Sequence, residues 1–114
     1  MSHVYKILPR HEWIEAQDAG RFDGSPIDLK DGYIHLSTSA QAAETARLHF
    51  AGREGLVLLK IAAEPLGPAL RFEPSRGGQL FPHLYRPLDP REVQAAWPLE
   101  LNTDGWPDPG ELEP

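Results

Sequence analysis

The chain is interrupted by turn formers too often to build a bundle of long helices. Twelve prolines and ten glycines are spread over 114 residues, so its elements must be short and its connections tight. A chain of this length suits one compact domain. The most apolar run, Leu56-Val57-Leu58-Leu59-Lys60-Ile61-Ala62, reads as a buried central strand. Val4-Tyr5-Lys6-Ile7 reads as an opening strand that Pro9 ends. Residues 10–19 follow as a helix, with Trp13 and Ala16 inward and Gly20 as C-cap. Residues 21–32, with Gly24-Ser25-Pro26 and Asp31-Gly32, read as a loop. A strand then runs from Tyr33 to Leu36. Thr38 or Ser39 caps a second helix that reaches about Phe50, with Ala40, Ala43, Ala46, Arg47 and Phe50 near one face.

The second half is strand after strand. Leu70-Arg71-Phe72-Glu73 alternates, with Leu70 and Phe72 inward. Pro74 to Gln79 is a glycine loop. Leu80 to Tyr85 is extended, because Pro82 disfavours helix at Phe81. Val93 to Leu101 returns as a last strand, broken at Pro98. Such a run without intervening helices points to an α+β fold rather than a doubly wound sheet. We expect a single domain with five or six short strands in a mixed or mainly antiparallel sheet, whole or split in two, and two principal helices. Residues 1–101 form that domain. Residues 102–114 form an acidic, Pro-rich tail expected to be poorly ordered, with Trp106 placed to fold back.

Charge narrows the partners. The formal net charge is −6, from 11 basic and 17 acidic residues. Four of the acids (Asp104, Asp108, Glu111, Glu113) lie in the tail, so the body is nearly balanced. Clustered Lys and Arg, as a nucleic-acid polymer would require, are absent from the pattern. No apolar run approaches the roughly 18 residues of a membrane helix, and the N-terminus lacks a signal-peptide pattern. There are no cysteines, which excludes disulfides and thiolate metal sites. These features lead us to expect a cytoplasmic protein, monomeric or a weak homodimer.

Two stretches carry the chemistry. In Tyr33-Ile34-His35-Leu36-Ser37, alternation puts the phenol, the imidazole and the hydroxyl on one face and the aliphatic pair on the other. Gly77-Gly78-Gln79-Leu80-Phe81-Pro82-His83-Leu84-Tyr85 repeats the same ingredients. His35 and His83 each sit inside an apolar extended segment, and a buried imidazole needs a partner for each ring nitrogen. Three readings compete with a purely structural one. His35, His83 and Glu73 have the residue types of a zinc site, but their spacing matches no short metal motif. The same three residues suit acid–base catalysis, with a histidine as base and Glu73 orienting it. Arg71, Arg76 and the backbone amides of Gly77 and Gly78 suit a phosphate or carboxylate, with Tyr85 stacking on a ring and Ser37 and Thr38 lining the pocket. The alternative from another class is a non-catalytic interaction module. There the histidines are structural, and Trp97, Trp106 or the acidic tail meets a partner.

These residues resemble a known family. Val4-Tyr5-Lys6-Ile7, Trp13, Asp31 to Thr38, Gln41, Thr45-Ala46, Phe50, Leu56 to Leu59, Arg71-Phe72-Glu73, Gly77-Gly78 and Phe81 to Tyr85 are together similar to the DUF952 family, over about residues 3–95. That family is distantly similar to the ADP-ribosyltransferase fold, and to the RNA 2′-phosphotransferases that use NAD. His35-Leu36-Ser37 resembles their second strand. Where they place a histidine or arginine on the opening strand to hold a ribose, this chain has Tyr5-Lys6. The resemblance implies a small anionic or nucleotide-like ligand, NAD among the cofactors to test, and transferase chemistry of the ADP-ribosyl type.

Overall fold

The computed structural model describes residues 2–114. Its six strands form two antiparallel sheets of three, so the split form of the expected α+β fold is the one adopted. In chain order the elements are β1 (His3–Pro9), α1 (Arg10–Ala19), α2 (Pro26–Asp31), β2 (Ile34–His35), α3 (Ser39–His49), β3 (Leu56–Ala62), β4 (Leu70–Pro74), β5 (Leu80–Leu84) and β6 (Val93–Leu99). The first sheet has the order β1-β3-β6 and the second β2-β5-β4. Reciprocal backbone hydrogen bonds between Tyr5 and Ser37 join them.

The apolar run does form the central strand of the first sheet, and that sheet is covered on both faces. Val4 and Leu8 of β1 and Val57, Leu59 and Ile61 of β3 pack with Trp13, Ile34, Leu36 and Leu84 in the larger core. The alternate residues Tyr5, Ile7, Leu56 and Leu58 pack with Ala46 and Leu99 in a second core. Strand alternation divides the side chains between the two. Pro98 does not break β6; it pairs with Val57 on the edge of the sheet, where a missing N–H is tolerated.

Several local expectations need correction. Residues 21–32 are not all loop, because Pro26–Asp31 is a helical turn and a half. Ser25 before Pro26, with Asp28 two further on, is a helix-start signal hidden by the turn residues around it. On α3 the buried residues are Ala42 and Ala46, while Ala40 and Arg47 are exposed. Leu70 is only partly buried against the larger core, and Phe72 is 48% exposed, because β4 is an edge strand that outruns the core.

The largest correction concerns the tail. Trp106 and Leu112 pack on the second core beside Trp97 and Phe50. The Tyr5 hydroxyl donates to the Glu113 carbonyl at 2.7 Å, and Lys60 pairs with Glu113 at 2.9 Å. Acidity and proline content suggested disorder, but two large apolar side chains and an uncovered sheet face decide otherwise. Trp97 and Trp106 are thereby occupied inside the molecule.

Candidate functional site

The register of the second sheet brings the site together. Its strand pairing sets His35 directly opposite His83, and His83 directly opposite Arg71. Directly opposed residues share a face. Tyr33, His35 and Ser37 therefore stand beside Phe81, His83 and Tyr85, and these beside Arg71 and Glu73. The other face carries Ile34, Leu84 and Leu70 into the larger core. The two imidazoles lie edge to face with centroids 5.6 Å apart. Tyr33 stacks on His83 at 4.1 Å and lies 4.7 Å from His35.

This face looks on to a cavity of about 590 Å³ between the sheets, within the range of small-molecule sites. One wall is Tyr5, Lys6 and Ile7 of β1, and the wall that joins it at the Tyr5–Ser37 bridge is His35, Ser37, Phe81 and His83. Thr45 and His49 of α3, with Phe50 and Arg53 just after it, close one end together with Ser75 and Arg76 from the β4–β5 turn. Ile27 of α2, 52% exposed, stands at the rim. No carboxylate lines the cavity, although the chain as a whole is acidic.

The carboxylates stand behind the imidazoles instead. His83 Nδ1 lies 2.8 Å from Glu73 Oε1, which also accepts from the Tyr85 hydroxyl at 2.6 Å. Hydrogen bonds from Tyr85 and then from His83 hold the Glu73 carboxyl below its ordinary range. A carboxylate only accepts, so Nδ1 carries a proton, and in the tautomer this selects the lone pair lies on Nε2. That nitrogen has no protein partner among the described residues. None of them leaves a fully buried side-chain nitrogen or oxygen unpaired, so Nε2 is not sealed off, and the His83 residue itself lines the cavity. His35 is held from both sides, with Nδ1 2.6 Å from Asp28 and Nε2 3.0 Å from Asp31.

Asp28 is the hub. Its carboxylate, 1% exposed, accepts from Lys6 Nζ at 2.8 Å, the His35 ring at 2.6 Å, and the amides of Ser25 and His35 at 2.8 and 3.1 Å. Burial alone would raise its pKa, but the His35 hydrogen bond and the Lys6 charge outweigh that and hold it low. Burial pulls the Lys6 ammonium down, against the pull of Asp28. Gly24 makes room for this arrangement: at φ +129° it sits so close that a Cβ would fall 2.7 Å from the Asp28 Cβ. Gly24→Ala should therefore cost about 1–3 kcal/mol through overpacking and backbone strain, read as a lower urea midpoint.

Because the Asp28 carboxyl is depressed only in the folded state, the unfolded chain takes up its proton first as pH falls. Its contribution is complete above the ordinary aspartate value of about 3.9 and fades as pH drops through the folded value. Urea midpoints between pH 3 and 6 should fall towards acid, less steeply in Asp28→Asn.

Of the residues singled out from sequence, His35, Ser37, Arg76 and His83 line the cavity. Glu73 touches His83 from behind. Arg71 lies over the Tyr85 ring at 4.6 Å, so both sit at the edge of the face and outside the cavity wall. Thr38 caps α3, with its amide bonded to Gln41. Gly77 and Gly78, at φ +66° and +77°, shape the β4–β5 turn, and the Gly78 amide is already bonded to Ser75. Of the anion cradle expected at Arg71, Arg76, Gly77 and Gly78, Arg76 lines the cavity, Arg71 lies outside its wall and the Gly78 amide is taken; Thr38 and Tyr85 are not among the residues that line it. No group of three or more His, Asp or Glu among the described residues is placed to hold a metal ion; Glu73 spends its contact on His83 Nδ1. Sequence reasoning misses Asp28, Asp31, Thr45, His49 and Arg53. Only the Ser25-Pro26-x-Asp28 helix start offers a signal for any of them.

The family described as "Protein of unknown function (DUF952)" matches residues 7–96, most of the chain. This chain is a DUF952 protein. Its structure is similar to the X-ray crystal structure of protein CC0527 from Caulobacter crescentus, with a TM-score of 0.93, 54% identity and 96% of each chain covered. The solution NMR structure of CC0527 superposes with a TM-score of 0.86 at 55% identity, covering 94% of this chain and 92% of that one. No curated protein matches. The DUF952 match spans both histidine strands and ends before the tail that seals the second core.

Proposed function

We propose that this DUF952 protein binds a small anionic, nucleotide-like ligand in the cavity between its sheets, with His83 Nε2 as the group that exchanges a proton with it. The carrying observation is the lining. Arg53, Arg76 and three imidazoles line one space that no carboxylate lines, and Glu73 and Asp28 are bonded to the imidazoles instead. Such a surface selects anions even on an acidic protein. Glu73 fixes the tautomer and direction of His83, the arrangement a general base requires.

A narrower reading is transfer of an ADP-ribosyl group from NAD. The His35-Leu36-Ser37 strand, which resembles the second strand of those transferases, supports it. Two features weigh against it. The ammonium of Lys6, which stands where the related transferases place a ribose-holding residue, is committed to Asp28 and the His35 carbonyl. Glu73 stands behind His83 and offers no carboxylate to a ribosyl cation.

The test is thermal shift of the purified protein with NAD, ADP-ribose, AMP, succinate and divalent metals. Binding to the folded state alone raises Tm. ADP-ribose or AMP should raise Tm, by less in His83→Gln, and metals should leave it unchanged. A release of nicotinamide from NAD would establish the narrower reading. Silence across the panel would sink the proposal.

A further inference from the structure

We infer that the anionic group is a phosphate, seated between Arg53 and Arg76 with His49 beside it, and that the remainder of the ligand extends towards His83. This rests on the cavity reading above and assigns the charge within it. Arg53 follows α3 and Arg76 comes from the β4–β5 turn, so two separate elements converge on one end of the cavity. Each guanidinium lies over a phenylalanine that also lines the cavity: Arg53 over Phe50 at 5.0 Å and Arg76 over Phe81 at 4.9 Å. Stacking fixes the plane of a guanidinium while leaving its N–H edge free to donate.

Among the described residues Arg53 has no ion pair, and Arg76 has only a long, exposed one. Arg76 donates to Thr45 Oγ1 at 3.3 Å and contacts His49 Nε2 at 3.1 Å, and its nearest carboxylate, Glu44, is 3.9 Å away, half exposed and shared with Arg47. A planar carboxylate with one charge is satisfied by one fork. A tetrahedral phosphate carries up to two charges and takes donors from several directions. Two stacked forks arriving from different elements, with the Thr45 and Ser75 hydroxyls beside them, suit the tetrahedral group.

Isothermal titration of the full chain with pyrophosphate, ADP-ribose and succinate tests this assignment, on wild type and on Arg53→Ala, Arg76→Ala, Arg53→Lys and His83→Gln. The phosphate ligands should bind more tightly than succinate. Each Ala variant should lose roughly tenfold or more, the loss of a charge-assisted contact, with an unchanged urea midpoint. Arg53→Lys should recover little, because it keeps the charge and loses the fork. Succinate binding as tightly as pyrophosphate, or phosphate binding unaltered in both Ala variants, overturns the phosphate assignment. If binding then still weakens in His83→Gln, the cavity reading survives alone. No binding by any of the three ligands removes both.

Discussion

Asp28→Ala should lower the stability of this protein by about 3–5 kcal/mol, the usual cost of stripping a buried ion pair of one partner. The substitution leaves Lys6 with its ammonium sealed at 5% exposure and no counter-charge. It also removes one of the two carboxylates that hold the His35 ring and leaves the amides of Ser25 and His35 without their acceptor. In a domain whose total stability is of order 5–15 kcal/mol, this is close to unfolding at physiological temperature. Urea melts of the single variant and of Lys6→Met/Asp28→Asn separate the causes. If the uncompensated charge is what costs most, the double variant recovers much of the loss, because removing both charges is tolerated far better than removing one. A single variant within about 1 kcal/mol of wild type would mean that Asp28 is not the hub described.

Truncation after Leu101 should cost on the order of 3 kcal/mol and lower Tm by roughly 15 °C. Trp106 and Leu112 leave the second core, and Tyr5, Leu58 and Trp97 lose their cover. The same segment holds the walls of the cavity. The Gly105 carbonyl accepts from the Gly52 amide at 2.7 Å, next to Arg53, and the Glu113 carbonyl holds the Tyr5 hydroxyl. Circular-dichroism melts give the stability. An unchanged Tm would show that the tail lies on the sheet without stabilising it.

Legibility in the sequence depends on how local each cause is. Alternation within Tyr33–Ser37 and Phe81–Tyr85 is a property of chain neighbours, so the polar face is readable from the residues alone. The convergence of His35 on His83 needs only that those faces pair in register, and they do. Asp28 is illegible for the opposite reason. Its partners are Lys6, on β1, and His35, on β2, and although Ser25-Pro26-x-Asp28 signals a helix start, nothing local says that its carboxylate will reach both. Arg53 is hidden similarly, since its role comes from where the turn after α3 lands. Gly78, whose amide is bonded to Ser75, shows that a turn glycine and an anion-cradling glycine look alike in sequence. The tail misleads when composition is weighed above the two apolar residues that anchor it.

The central claim is that one cationic cavity between the sheets receives the ligand, and amide chemical-shift mapping tests it most directly. A ¹H–¹⁵N titration of the labelled protein with ADP-ribose should move resonances from Tyr5 to Ile7, His35 to Ser37, Thr45 to Arg53, Ser75 and Arg76, and Phe81 and His83, the segments that meet there. Shifts confined to Arg71 and Tyr85 at the outer edge of the second sheet, or none at millimolar ligand, would contradict it.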